Sequence, residues 1–213
     1  MPPTTKNYSN SIAPMAPNST EKRLRDLIFN NDGKILIALG VYDGFSVRIA
    51  LDVGFDCSYM TGAGTCASKL GQADLGFATL NDVREHAEMI ANLKPEIPLV
   101  ADADTGYGGL NMVARTVAAY HRSCVSAIHI ENQIKTKRCG HLRGKEIVDD
   151  NIFCSRIRAA SQAQGRLGSD IVLIARTNAL QHGTAPSITS QEAQELGFRI
   201  IIFPFATIAP ASA

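Results

Sequence analysis

Short apolar runs bounded by Gly, Pro or Asp, each followed by a longer stretch of helical period, recur from residue 34 to residue 203. This alternation constrains the fold more than any other feature of the chain. The runs fall at 34–39, 57–61, 99–102, 127–130, 171–175 and 199–203. Between them, SVRIALDVG, TLNDVREHAEMIANLK, MVARTVAAYHR and DNIFCSRIRAASQAQ carry one apolar and one polar face, as covering helices do. Near-continuous apolar strands separated by amphipathic helices imply a parallel sheet covered by helices, either an open doubly wound sheet or a barrel. Periodicity alone does not choose between them.

At 213 residues, 45% hydrophobic and 19% charged, the chain is long enough for one sizeable core. Residues 1–20, rich in Pro, Ser, Thr and Asn, read as a disordered tail, and 21–213 read as a single domain opened by the helical EKRLRDLIFN. A net charge of +1 from interspersed charges gives no broad cationic field for nucleic acid, so a small-molecule partner is expected. Five cysteines, odd in number and widely spaced, suit neither a disulfide framework nor paired zinc ligands, which points to a reducing compartment. No apolar run approaches the ~20 residues of a membrane span, and residues 1–20 contain no apolar signal core. A cytoplasmic location is the expectation.

The polar residues cluster just after the strands: TGAGT, DADTGYGG, ENQ and RTNA. In parallel α/β folds, the C-terminal strand ends converge on the site. Asp102 and Asp104 alternate there, and an extended backbone would point both carboxylates the same way. Two such anions repel unless a cation or strong donors offset them, and with Glu131 they form an oxygen-rich set suited to hydrated Mg²⁺. A turn with solvated acids is the competing reading.

GVYDGFSVRIALDVGFD, YMTGAGTCASKLGQADLG, LVADADTGYGG, AIHIENQIKTKRCGHLRGKEIV and LIARTNA occur in the order of the signatures of the isocitrate lyase / phosphoenolpyruvate mutase superfamily, which the chain resembles over residues 35 to 180. The resemblance implies a (β/α) barrel of the TIM type with Mg²⁺ at its mouth, Mn²⁺ being the alternative ion. Asp102 then resembles the direct metal ligand, and Asp104 and Glu131 those that hold it through water. Tyr59, Thr61, Gly62 and Ala63 resemble the segment that receives a substrate carboxylate, Asp74 the acid of the following gate, and Arg176 the arginine that pairs with substrate oxygens. Cys139, in the KRCGH motif of the lyases and hydrolases, resembles the general acid, with Lys137, Arg138 and His141 as neighbours able to stabilise its thiolate. A surface cysteine in a basic turn is the competing reading. His86 and His121 are expected to be hydrated or core histidines. Cys57, Cys66, Cys124 and Cys154 are expected to be small packing residues.

Two departures qualify the resemblance. A complete (β/α)₈ barrel takes about 250 residues, and here TAPSITS leads straight into QEAQELGFRIIIFPFATI, so about six strands instead of eight are expected. The resemblance implies a homo-oligomer as one possible state, expected here without the swapped C-terminal helices that lock the subunits of its relatives together. Asn132 also stands where the family commonly has Asp. The resulting expectation is a Mg²⁺-dependent carbon–carbon lyase or hydrolase acting on a small 2-hydroxy or 2-oxo dicarboxylate. The alternatives are a catalytically degraded binding or scaffold protein and a phosphonomutase-like enzyme.

Overall fold

A computed structural model of the chain describes residues 19–136, 139, 144–177 and 189–207. Six parallel strands form one sheet: β1 (Leu36–Val41), β2 (Ser58–Met60), β3 (Leu99–Asp102), β4 (Ala127–Glu131), β5 (Val172–Arg176) and β6 (Ile200–Phe203). The helices are α1 (Ser19–Phe29), α2 (Gly44–Val53), α3 (Gly62–Thr65), α4 (Leu80–Leu93), α5 (Leu110–Arg122), α6 (Asp150–Leu167) and α7 (Ser190–Glu195). The strand order β5-β4-β3-β2-β1-β6 makes an incomplete TIM-type barrel. β6, last in sequence, pairs with β1 in register from Leu36↔Ile200 to Leu39↔Phe203. Among the described residues, the sheet therefore ends at β5 on one side and β6 on the other.

Each expected strand is present, β3 with the expected bounds and the others with ends shifted by at most two residues. The expected tail lies outside the described residues except for its last two, which already belong to α1. Helix starts follow the local chemistry. Asp43 and Ser46 exchange hydrogen bonds as a capping box at α2, and Thr79 and Asp82 do the same at α4. α3 was not foreseen: after β2, Thr61 caps it and a π-helical turn, Cys66–Leu70, continues it. Such turns often accompany functional sites.

Two apolar clusters hold these layers. Val41, Met60, Leu99, Ala101, Ile128 and Ile130 pack outward against α2, α4 and α5. Leu36, Ala38, Cys57, Val100 and Ala127 fill the inside together with Leu24 and Ile28 of α1, which closes the N-terminal end. Burying a side chain such as Leu24 contributes roughly 1.5–3 kcal/mol. α1 is fastened there by Glu21, whose carboxylate accepts from the Asp170 amide (2.8 Å) and contacts His121 Nδ1 (2.9 Å). His121 is thus a packed structural histidine, and His86 likewise meets the Tyr42 carbonyl at 2.6 Å.

The cysteines divide. Cys57 and Cys66 are buried, and burial pushes the Cys57 thiol up to about 12. Cys124 and Cys154 are exposed, which corrects the expectation that they pack: one ends α5 in a left-handed turn and the other lies on the outer face of α6. Among the described residues, no helix is long and apolar enough to cross a membrane.

Candidate active site

At the C-terminal ends of the strands, a cavity of about 230 Å³ is lined by Tyr59, Thr61, Ala63, Asp74, Asp102, Glu131, Cys139 and Arg176. Ile202, Pro204 and Phe205 complete its wall from the β6 side. Parallel strands bring these residues together because each ends at the same face of the sheet. β2 delivers Tyr59, β3 Asp102, β4 Glu131 and β5 Arg176.

Asp102 is 6% exposed. Its Oδ1 accepts the Asp104 amide at 2.8 Å and lies 3.8 Å from His129 Nε2. Its Oδ2 lies against Gly62, where an added Cβ would come within 2.5 Å. Gly62 therefore serves the site through its lack of a side chain, although it does not line the cavity. Glu131 is 1% exposed. Its Oε1 accepts from Gln133 Nε2 (2.8 Å), and its Oε2 lies 3.7 Å from Arg176 Nε. Burial by itself would lower the Arg176 guanidinium, but the facing carboxylates of Asp102 and Glu131 outweigh it and hold it above its ordinary value. Cys139 is half-buried and close enough to Arg176 and Lys145 to act on both electrostatically. Asp74 is buried and accepts from Cys66 Sγ at 3.8 Å. His141, Lys137 and Arg138 lie outside the described residues.

Asp104 is placed differently from the expectation. β3 ends at Asp102, and Asp104 has φ +55°, so the backbone is not extended there and the alternation that would align the two carboxylates stops. The Asp104 carboxylate instead accepts the Thr105 amide and lines a neighbouring cavity with Tyr107, Arg115 and Lys135. That cavity is larger, about 410 Å³, yet the buried carboxylates and the guanidinium that could perform chemistry face the smaller one.

Sequence reasoning passed over four supporting residues. His129, 3% exposed, meets the Tyr59 hydroxyl at 2.7 Å and stacks on its ring with centroids 5.5 Å apart. Its position two residues before Glu131 on a strand was a usable signal, because residues i and i+2 share a face. Gln133 follows the same period. Arg156, from α6, donates to the carbonyls of Glu131 (3.2 Å) and Gln133 (2.8 Å), and Lys145 sits near Cys139; neither carries a local signal.

Three buried carboxylates, Asp74, Asp102 and Glu131, line the cavity, and the last two act on the Arg176 guanidinium. Among the described residues, no three His, Cys, Asp or Glu side chains converge to hold an ion by themselves. A hard cation that keeps several waters and takes one direct carboxylate fits such a donor set.

The sequence profile of the Phosphoenolpyruvate phosphomutase family matches residues 24–196. The chain is 37% identical to 2,3-dimethylmalate lyase of Eubacterium barkeri, over 76% of this chain and 54% of that protein. It is 36% identical to isocitrate lyase of Haloferax volcanii, over 82% and 49%. It therefore spans about half the length of these curated relatives. A crystal structure of 2,3-dimethylmalate lyase superposes with a TM-score of 0.86 at 47% identity, covering 93% of this chain and 82% of that one. Oxaloacetate acetylhydrolase in complex with the product oxalate gives 0.86 at 42% identity, covering 92% and 84%. A phosphoenolpyruvate phosphomutase from Streptomyces platensis subsp. rosaceus shares the fold, with a TM-score of 0.80, at 22% identity.

Proposed function

The chain belongs to the phosphoenolpyruvate mutase / isocitrate lyase superfamily, in its lyase and oxaloacetate-hydrolase branch, and from that premise we propose that it is a Mg²⁺-dependent carbon–carbon lyase or hydrolase of a small 2-hydroxy or 2-oxo dicarboxylate. The observation that carries this reading is the single cavity that Asp102, Glu131, Arg176, Cys139 and the Thr61 turn share. Asp102 would hold Mg²⁺ directly, with Glu131 and Asp104 reached through water. The bound ion would supply Lewis-acid stabilisation of negative charge on an enolate. Arg176 presents a planar fork to a substrate carboxylate, and the Thr61, Gly62 and Ala63 turn receives another. Tyr59, whose hydroxyl meets His129 at 2.7 Å, would help to receive the substrate carboxylate. Cys139 Sγ gives its proton to the enolate carbon, and Arg176 and Lys145 stabilise the thiolate left behind. Asp74, buried in the cavity wall, would act as the acid of the gate that follows the Thr61 turn.

Calorimetric titration of oxalate, a planar mimic of an enolate, tests this reading. Binding that needs both Mg²⁺ and Asp102, and is lost in Asp102→Ala, is expected. Equal binding without Mg²⁺, or in Asp102→Ala, would refute it. The two strand edges at β5 and β6 favour one second reading, a protein that keeps the ligand site without turnover. Mg²⁺-dependent cleavage of a dicarboxylate by the purified chain would exclude that reading.

A further inference from the structure

Asp102 owes its position to helix α5 as much as to the sheet. β2 and β3 pair in parallel from Ser58↔Leu99 to Met60↔Ala101. At that point the chain leaves the sheet and turns into α3. The Tyr120 hydroxyl donates to Asp102 O at 2.9 Å and lies 3.2 Å from the Tyr107 hydroxyl. Burial raises both phenols above their ordinary value, which keeps them protonated.

Tyr120 does not act alone on this turn. Val113, Thr116 and Tyr120 lie at helical spacing along one face of α5, and all three are fully buried. Thr116 Oγ1 donates to the Gly106 carbonyl at 3.2 Å, and Val113 packs so closely that a Cβ on Gly106 would come within 2.5 Å of it. The turn they hold contains Asp104 (φ +55°) and Tyr107 (φ +58°), two non-glycine residues in the left-handed region, a conformation that persists only when its surroundings enforce it.

We propose that Tyr120 is a positioning residue for the candidate site, its hydroxyl setting the height of Asp102 so that the carboxylate stands over Gly62 at the cavity. This rests on the reading of the site given above. Removing the hydroxyl leaves a ring of the same shape and lets the Asp102 peptide tilt. In the oxalate titration with Mg²⁺, Tyr120→Phe is expected to weaken binding about tenfold. Thr116→Val, which loses a hydrogen bond from the same helix face to the same turn but none to Asp102, is expected to weaken binding several-fold less than Tyr120→Phe does. Equal losses in the two variants would overturn the proposal, since they would reflect the turn's general stability. Wild-type binding that Tyr120→Phe leaves unchanged would overturn it alone, whereas no Mg²⁺-dependent binding by the wild type would overturn it together with the proposed function. Should Tyr120→Phe fail to fold, Tyr107→Phe keeps the question open to test: it removes the partner that orients the Tyr120 hydroxyl and is expected to weaken binding by about twofold to fivefold. Unchanged binding there would count against the proposal.

Discussion

β2, β3 and β4 are buried at every residue, whereas β5 and β6 contain no fully buried residue. All five are similarly apolar runs, so composition does not explain the difference. The first three have a strand on each side and helices outside them; the last two bound the sheet. An apolar sequence makes a strand suitable for a core, but its neighbours decide whether it is in one. The candidate site straddles the two regions, with Asp102 and Glu131 on the closed side and Arg176, Pro204 and Phe205 on the open side.

The largest expected effect that tests this contrast comes from two glycines. A methyl at position 62 would sit 2.5 Å from Asp102 Oδ2, on the closed side. Gly62→Ala is therefore expected to weaken oxalate binding roughly tenfold to a hundredfold. A methyl at position 40 would sit 2.4 Å from Phe203 O, so the shift it forces falls on β6 and Pro204 rather than on the carboxylates of the closed side. Gly40→Ala is expected to alter the same affinity by less than about threefold. Equal losses would mean the open side is as rigid as the closed one.

Core truncation tests the same contrast through stability. Ile128→Ala, in fully buried β4, is expected to cost about 2–5 kcal/mol in urea unfolding. Ile200→Ala, at the half-buried β6, is expected to cost about 1 kcal/mol, because the surroundings there collapse more easily. If the two costs were equal, the exposure of β6 would carry no energetic meaning.

The smallest effect lies at the α4 cap, on the closed side. Hydrogen bonds from the Thr79 hydroxyl and amide hold the Asp82 carboxyl below its ordinary value, so the folded protein binds that proton more weakly than the unfolded chain. The stabilisation is complete above the ordinary aspartate range and is lost as pH falls through the lowered value. Thr79→Ala is expected to cost about 1 kcal/mol at neutral pH. The difference from wild type should shrink in acid, as followed by thermal unfolding. A gap that widened in acid would contradict this account.

Much of the site was legible before the fold. Asp102, Glu131, Arg176, Tyr59 and Thr61 stand at or just past strand ends, and parallel strands deliver such residues to one face. The extended alternation expected through Asp104 does not hold, because the chain enters a left-handed turn that Thr116 and Val113 hold from outside the strand. Arg156 and Lys145 were invisible because they approach from parts of the chain distant in sequence and carry no motif. Tyr120 looked like one more apolar position on α5.

The sequence alone determined the alternation of strand and helix, the shortened strand count and the set of polar residues at the strand ends. Those features follow from local periodicity and from the order of residues along the chain. Only the tertiary structure decided that β6 pairs with β1 while β5 is the other end of the described sheet, that the backbone leaves the extended conformation at Asp104, and that a helix hydroxyl donates to the Asp102 carbonyl. Each of these depends on which groups meet across the chain, because a hydrogen bond or a steric contact is fixed by distance in space and not by separation in sequence.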